Sequence, residues 1–496
     1  MKSLFVGVFF CAGSLLAQHA SPYLPIDHWA YSYIEMLQIR GHLPELYYSV
    51  RPYRRSDITS ALARIDENTL SNTERHWIHL LNEELSSHSN NQADNNVILR
   101  ANGSTGAALQ NKTYDGDIAF EPEITLSSPY FAGSLRGRID NDLIDDPTYT
   151  GRRSNLVGAR VEDGYGLLQW GAGSFYIGRV ANIWSPFPDR SLIVSSNPYT
   201  YDQIGFAFQT RYFALRAFHA QLSDQNGIHR YLAAHRLDVR LPHNIQLGFT
   251  ESVLYGGPNQ QTDLSYLNPF TVFLSIQLND KKEANELLAF DAYVPFGRFA
   301  FKSQILVDDF ILDGANDPAP NRKTSNDRLG FIFGLQGADL LMPESVTELR
   351  YERVGSYTYN VKTTRPWQSY TQDSRGIGAA ANDYDAWLLQ HRYFPLPAFV
   401  FSADISFGRS GERSLASNTF VDSTFVKLPF PSGQVQKRIS FGIGVSYIHS
   451  STWNSRLTAS IDHYEDFNHI ANLSKDQLHF MLRTEYSIRS WLTFSN

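Results

Sequence analysis

From about Val97 to the C-terminus, apolar and polar residues alternate with a period of two, which is typical of β-strands with one apolar and one polar face. The last stretch of the chain is the clearest case. Its apolar face carries Phe480, Leu482, Tyr486, Ile488, Leu492 and Phe494, and its polar face carries Arg483, Glu485, Ser487 and Arg489. A soluble β-sandwich would produce the same alternation, so further features must decide between the two folds.

Strand length and connection length both favour a membrane barrel. The periodic runs reach about ten residues or more, which is longer than the strands of most soluble sheets. Short turns are predicted at 128–129, 163–164, 241–242, 295–296, 342–343, 395–396 and 450–451. Long connections are predicted at 141–152, 181–202, 255–267, 308–326, 356–383, 409–435 and 466–475. Short turns that alternate with long loops are the pattern of outer-membrane barrels.

The connections also give an even number of strands. A turn near Arg211 and loops near 110–115 and 223–228 complete a set that separates about 18 strands. A strand-like run at 269–278 does not fit this count. No later stretch reaches the roughly 18 apolar residues of a membrane-spanning helix, so a chain that enters a bilayer must close its strands into a barrel. We therefore predict an all-β transmembrane antiparallel barrel over residues 97–496, integral to a Gram-negative outer membrane.

The N-terminus reads as an export signal. Lys2 supplies a positive charge, Leu4 to Leu16 form an apolar stretch, and Ala17 is a cleavage point before Gln18. A lipoprotein signal at Cys11, the single cysteine, is the rival interpretation, although the large Phe10 precedes it. Cleavage after residue 17 leaves a mature chain without disulfides or a thiolate site.

Residues 18–90 follow a helical period instead of a strand period. Trp29, Tyr33 and Leu37 recur at helical spacing, and Ser71 with Glu74 has the pattern of a helix capping box. We expect a small periplasmic bundle of about three helices, followed by a linker at 86–96 that is rich in serine and asparagine.

Four ordered groups of residues resemble one known family. They comprise Pro25–Tyr31 with Arg51–Arg55, then Tyr176–Arg179 with Trp184–Pro186 and Ser191–Pro198, then His235–Leu237 with Glu251–Ser252, Tyr255–Gly257 and Tyr266–Pro269, and finally Asp291 with Gln304 and Asp308–Phe310. The chain resembles the Wzi-type capsule assembly proteins over roughly 22–312. Ser185 departs from the glycine that this family has between its tryptophan and proline.

The resemblance implies a barrel of 18 strands with a periplasmic helical bundle. It also implies a lectin-like, non-catalytic protein that attaches or organises capsular or related surface polysaccharide.

The residues themselves indicate no enzyme. The chain has no zinc-protease motif, nucleophile elbow or phosphate loop. The acid pairs Asp145-Asp146 and Asp308-Asp309 could bind calcium or hydrolyse a glycoside, but we interpret them as solvated loop residues. His76 and His79 are interpreted as a helix surface. No metal and no cofactor are expected, and the net charge of −7 argues against nucleic acid as a partner.

Sugar binding requires aromatic faces for pyranose rings, with amides and arginines for hydroxyls and carboxylates. The candidate polysaccharide-binding residues lie mainly in the connection at 181–202. They are Arg179, Asn182, Trp184, Arg190, Asn197, Tyr199, Tyr201 and Tyr266, with Ser195, Tyr255, Trp367 and Tyr370 as further candidates. The alternative is that these aromatics belong to the membrane girdle or pack inside the barrel as a plug.

Two other functions stay open at this point. A barrel of about 18 strands is wide enough to act as a substrate-specific porin or sugar channel, unless loops fill it. A hydrolase embedded in the barrel is the third possibility. The run Arg51–Arg55 is either a turn between helices or a contact to lipid head groups or a periplasmic partner. Expected partners are surface polysaccharide, outer-membrane lipid and, through the helical bundle, periplasmic export components.

Overall fold

The computed structural model describes residues 20–85, 95–110, 113–154, 156–279, 284–308, 328–415, 419–420 and 429–494. The predicted signal segment at 1–17, most of the predicted linker and Asp309 lie outside the described residues.

In the described part of the chain, eighteen antiparallel strands form one closed barrel in which each strand pairs with the next and the last pairs with the first. Strands β1 to β18 span, in chain order, Asn95–Gln110, Thr113–Ser127, Phe131–Asp140, Gly158–Trp170, Gly173–Arg179, Asp202–Gln209, Phe213–Gln225, Ile228–Arg240, Gln246–Gly256, Asn285–Phe296, Phe299–Val307, Leu329–Ala338, Ser345–Val354, Tyr384–Leu396, Phe399–Ser410, Gln436–Ser450, Trp453–Glu465 and Lys475–Phe494. The predicted fold class and strand number are confirmed.

The barrel is apolar outside and polar inside. In β11, Phe299, Phe301 and Ile305 are 37–39% exposed, whereas Lys302 and Gln304, which alternate with them, are 0% exposed. Successive side chains of a strand point to opposite faces, so the apolar set faces outward and the polar set faces the lumen. A soluble sandwich would bury its apolar face instead. This arrangement gives the barrel a lipid-facing belt.

The long loops lie at one end of the barrel, which we call the loop end, and the other end, which we call the turn end, has only short turns. The connection at 226–227, predicted as a loop near 223–228, is a two-residue turn at the loop end. One predicted turn was wrong, because Asp163 and Gly164 lie inside β4 and the turn lies at 171–172. Pairing between β3 and β4 shifts register beside Asp163, where its carboxylate binds Arg136 in the lumen at 2.9 Å. The sequence pattern of a turn at Asp163 and Gly164 therefore comes from a β-bulge whose polar residue faces the lumen.

The predicted strand-like run at 269–278 was also wrong in type. Its described residues include helix α6 (Phe273–Asn279), which follows helix α5 (Leu264–Leu267) in the connection between β9 and β10. Because neither helix contributes to the sheet, the run could not fit the strand count. The short helix α4 (Asp142–Asp145) lies earlier, between β3 and β4.

Three helices form the N-terminal region, as predicted: α1 (Ala30–Ile39), α2 (Arg55–Leu62) and α3 (Asn72–Leu85). The capping box begins α3, because the Ser71 N–H donates to Glu74 at 2.7 Å and the Glu74 N–H donates to the Ser71 hydroxyl at 3.1 Å. No helix of the described residues is long and apolar enough to cross a membrane.

The helical region shares its core with the barrel wall at the turn end. Trp77 of α3 is fully buried, stacks on Tyr33 at 5.5 Å and lies edge-on to Phe394 of β14 at 5.0 Å. Its indole N–H donates to the carbonyl of Pro397 in the turn that follows β14. The three helices therefore form a plug that is seated on the barrel, and one apolar cluster joins the plug to the wall.

Candidate functional site

The connection predicted at 181–202 spans residues 180–201 in the structure, and we call it the central loop; it enters the lumen from the loop end. Its short strand Ile183–Trp184 pairs with Val50–Arg51 of the N-terminal region. The adjacent Ser185 N–H donates to the Ser49 carbonyl at 2.8 Å. A segment from each end of the barrel thus meets inside the lumen, and main-chain hydrogen bonds join the two segments.

Two of the predicted sugar-stacking residues lie in the luminal core. Trp184 is 2% exposed and packs edge-on against Phe218 of the wall at 5.2 Å, and Tyr201 is 7% exposed. Both belong to one apolar cluster with residues such as Phe187 and Ile193. Neither ring offers a free face to a sugar in this conformation, so their burial favours the alternative interpretation of internal packing.

The connection between β13 and β14 covers this core. The Tyr359 and Tyr370 hydroxyls donate to backbone carbonyls of the central loop, at 2.6 and 2.9 Å. The guanidinium of Arg230, in β8, donates to three backbone carbonyls within residues 367–371 at 2.5–2.8 Å. Tyr370, one of the further candidates, is therefore a structural contact between loops. These bonds fix the surface that the loop end presents.

At the loop end, five polar and aromatic residues form a group that we call the mouth cluster: Asp146, Arg160, Asn197, Tyr199 and Arg375. The Tyr199 ring contacts two cations, with the Arg160 and Arg375 guanidinium carbons 4.1 and 4.3 Å from its centroid. Arg375 also donates to the Asn197 carbonyl at 3.2 Å and to the Asp146 carboxylate. Cation–π contacts and charge-assisted bonds thus hold the cluster together.

The mouth cluster carries two arginines and one carboxylate, and Arg160 also pairs with Glu162 beside the cluster. Burial alone would raise the pKa of Asp146, but hydrogen bonds from Tyr199 and Thr148 and the charge of Arg375 outweigh it and lower the pKa to about 2. The carboxylate is therefore ionised at neutral pH. The side chain of Arg375 is 34% exposed and that of Arg160 is 24% exposed, so both forks reach solvent. The cluster offers fixed donors and acceptors to a ligand rich in hydroxyl groups.

The other predicted residues of the central region are dispersed. Asn182 is half-buried and donates to the Gln203 side chain at 3.1 Å. Arg179 pairs with Asp202 through two bonds of 2.9 Å. This pair follows the exposed outward pair Ile177 and Ile204 in register, so it lies at the outer rim.

Arg190 is 49% exposed and lies 3.6 Å from Glu352, a residue of the luminal face of β13. Beside it, Asp189 accepts two bonds from Arg350, at 2.8 and 3.0 Å. The Asp189 side chain is 53% exposed, and although the crowded lumen around it would raise its pKa by desolvation, Arg350 outweighs this effect and lowers the pKa. Arg190 therefore lies against the wall, in a group separate from the mouth cluster.

Tyr266 lies in another place, on the outside of the wall. It is 3% exposed, between Tyr255 at 4.7 Å and Phe273 at 5.6 Å. The Glu251 carboxylate accepts the N–H groups of Phe273 and Leu274, both at 2.9 Å, and so fixes α6 against the outer face of β9. The structure does not bring Tyr266 to the central loop.

The run Arg51–Arg55 provides no free cations for lipid head groups. Arg55 is 1% exposed and binds Glu84 at 3.0 Å, and Arg54 binds Asp57 at 2.9 Å. Arg51 is 6% exposed and lies over the Tyr31 ring at 4.6 Å. The interpretation as a turn that leads into α2 fits this geometry.

A polar cavity of about 260 Å³ lies in the lumen beside the plug. Its lining includes Arg100, Glu121, Glu123, Arg136 and Arg483. Among the described residues, no group of three or more histidine, cysteine or acidic side chains could hold a metal ion. The cavity is a polar space between plug and wall, and its charged lining residues largely pair with one another.

Sequence reasoning missed Arg160 and Arg375 and interpreted Asp146 only as a solvated loop residue. Their positions, in β4 and in the connections that follow β3 and β13, are far apart in the chain. A search for arginines near the loop ends could have found them, but only the fold brings them to Tyr199.

The chain is similar to known proteins in sequence and in fold. Its residues 89–391 match the family model described as capsule assembly protein Wzi. The structure of Wzi from Escherichia coli, described as a carbohydrate binding β-barrel involved in group 1 capsule assembly, is similar with a TM-score of 0.65 and 17% identity, over 94% of this chain and 99% of that chain. No curated protein sequence matches.

Two proteins of Pseudomonas aeruginosa are less similar. OccD3 has a TM-score of 0.47 and 8% identity, over 79% of this chain and 91% of that chain. OprD has a TM-score of 0.44 and 10% identity, over 80% of this chain and 95% of that chain.

Proposed function

Because this chain belongs to the family of Wzi capsule assembly proteins, we propose that it is a non-catalytic binder that holds capsular or related polysaccharide at the cell surface. The protein is an integral outer-membrane barrel, in agreement with its apolar outer belt. Outer-membrane barrels have their short turns on the periplasmic side, so the loop end faces outward and the plug faces the periplasm. There the plug could meet export components that deliver the polysaccharide.

The mouth cluster is the observation that carries this proposal. Arg160 and Arg375 place two forks beside one tyrosine ring at the loop end. Arginine forks bind carboxylates with two parallel bonds, and a carboxylate such as that of Asp146 accepts hydrogen bonds from hydroxyl groups. We infer recognition through hydrogen bonds and charge, with little stacking, since Trp184 and Tyr201 are buried.

The filled lumen favours a binder over a porin. The plug and the central loop meet through the pairing of Val50–Arg51 with Ile183–Trp184, and an apolar core surrounds this contact. A channel of this strand number would need a water-filled path through that core. A hydrolase is not favoured either, because Asp146 is engaged by Arg375 and Tyr199.

Retention of the native surface polysaccharide by the protein in liposomes tests the proposal. The double variant Arg160→Ala with Arg375→Ala should weaken retention by about tenfold or more, since a hydrogen bond to a charged group contributes about 1.5–3 kcal/mol. Retention by Arg375→Lys should lie between that of the unaltered protein and that of the double variant, because lysine keeps the charge and loses the fork.

The matched control removes two exposed arginines from the opposite end, Arg64→Ala with Arg211→Ala, and should retain polysaccharide as the unaltered protein does. Heat-dependent mobility on gels reports whether each barrel is folded. Equal retention by the folded double variant at the mouth cluster and by the control would contradict the proposal.

A further inference from the structure

A row of charged side chains runs around part of the outer wall at the loop end. Arg353, Asp385, Arg409, Lys437 and Glu465 are successive cross-strand partners on β13 to β17. The luminal side of β13 carries Arg350 and Glu352 instead, so the row lies on the outward face. Charges of both signs thus lie where the apolar belt ends, and the two cations Arg409 and Lys437 are neighbours in the row.

An aromatic row lies directly below these charges. Tyr351, Trp387, Phe407 and Ile439 are cross-strand partners, two residues closer to the centre of the belt. Trp387 and Phe407 are each 50% exposed, and the Tyr351 ring packs at a tilt against Trp387 with 4.6 Å between centroids. The next row is aliphatic or aromatic throughout: Leu349, Leu389, Ile405, Phe441 and Ile461. Polarity therefore falls in steps from the rim into the belt.

The charged and aromatic rows enclose a groove. Its volume is about 450 Å³, and its lining includes Trp387, Phe407, Arg409, Lys437 and His463. The groove is continuous with the lipid-facing belt, so its apolar floor contacts acyl chains while its upper edge lies at the level of the lipid head groups.

The cations of this edge keep donors for a ligand. Arg409 uses its Nε and Nη2 on Asp385, which leaves Nη1, and its side chain is 50% exposed. Lys437 is 57% exposed and directs one of its three N–H groups to Glu465 at 2.9 Å. The Lys437–Glu465 pair is exposed on both sides and is therefore weak, so an anion can bind beside it.

We propose that this groove binds one phosphorylated glycolipid of the outer leaflet, of the lipid A type. Its acyl chains lie on the aromatic and aliphatic rows, and its phosphate accepts hydrogen bonds from Arg409 and Lys437. Arg353, which lies over the Phe430 ring at 3.7 Å, borders the same edge. Such a lipid would fix the height and rotation of the barrel in the membrane.

Native mass spectrometry of the whole protein in detergent, titrated with purified diphosphorylated lipid A, tests the proposal. The folded protein should bind one molecule saturably, and Arg409→Ala with Lys437→Ala should raise the dissociation constant by about tenfold or more. Arg64→Ala with Arg211→Ala removes two exposed arginines from the turn end and should leave binding unchanged. Lipid A stripped of its phosphates should bind like the double variant.

Trp387 gives a second measurement that does not depend on charge. A lipid A analogue brominated on its acyl chains should quench the tryptophan fluorescence of the protein less in Trp387→Phe, because bromine quenches at contact distance. Three results would each overturn the proposal: Arg409→Ala with Lys437→Ala binds lipid A as tightly as the unaltered protein, phosphate-free lipid A binds as tightly as lipid A, or Trp387→Phe leaves the quenching unchanged. Polysaccharide retention by the double variant should stay normal, so failure here is distinct from failure at the mouth cluster.

Discussion

Glu84 of helix α3 connects the plug to the barrel wall. It is fully buried, and its carboxylate lies 2.7 Å from Arg100 of β1, 3.2 Å from Arg489 of β18 and 3.0 Å from Arg55 of the plug. Burial would raise the pKa of Glu84, but Arg100 and His28 outweigh it and hold the pKa well below its usual range. The carboxylate is therefore charged, and Glu84→Gln should weaken the seating of the plug.

The magnitude follows from the charges that are left behind. Glutamine keeps the shape of the side chain but leaves three guanidinium groups without their shared anion. Removal of one partner from a buried ion pair costs about 3–5 kcal/mol. Glu123, 3.8 Å from Arg100, compensates only one of the three. At about tenfold for each 1.4 kcal/mol, the released form of the plug should become about 100 to 5,000 times more populated.

Limited proteolysis of the protein in detergent can measure this release. Cleavage within residues 20–85 should become faster in Glu84→Gln, while the barrel keeps its heat-dependent gel mobility. Glu83→Gln is the matched control, because Glu83 is exposed on the same helix. The reasoning fails if Glu84→Gln and Glu83→Gln are cleaved at the same rate as the unaltered protein.

Three other changes have expected outcomes. Glu251→Ala removes the acceptor for two N–H groups of α6, so hydrogen exchange in residues 264–279 should accelerate while barrel strands stay protected; unchanged exchange there would contradict the contact. Trp184→Ala should lower stability by about 3–5 kcal/mol through a luminal cavity, measured by thermal loss of gel mobility, with polysaccharide retention per folded molecule unchanged; weaker retention would restore Trp184 as a ligand contact. Burial alone would raise the pKa of Glu35, but Arg392 and other cations outweigh this effect and lower the pKa from 4.5 to about 2. The contribution of Glu35 to plug seating is therefore complete above about pH 4.5 and is lost as the pH falls towards 2. Proteolysis with an acid-active protease should follow that window, and release near neutral pH would be the contrary result.

The barrel could be predicted from sequence because its determinants are local. Alternation of residues such as Phe299 and Lys302 decides which face meets lipid, and chain length between turns decides strand number. The capping box at Ser71 and Glu74 likewise depends on four adjacent residues. The turn predicted at 163–164 was wrong because Asp163 lies at a β-bulge, where the strand register shifts, and not at the end of the strand.

The site was less predictable because it depends on where long loops fold. A tryptophan such as Trp184 has the same sequence signature whether it lies on a surface or within a core. Tyr199 was selected as a candidate, but its two cations come from distant parts of the chain. Nothing local to Tyr266 indicated that its loop folds over the outside of the wall.

The claim on which this account depends is that plug and loops fill the lumen, so that the protein acts at its outer surface. Single-channel recording of the purified protein in planar bilayers tests it most directly. We expect no steady current of the size that an open barrel of eighteen strands would carry. A large, steady conductance from the unaltered protein would contradict the account and favour a channel.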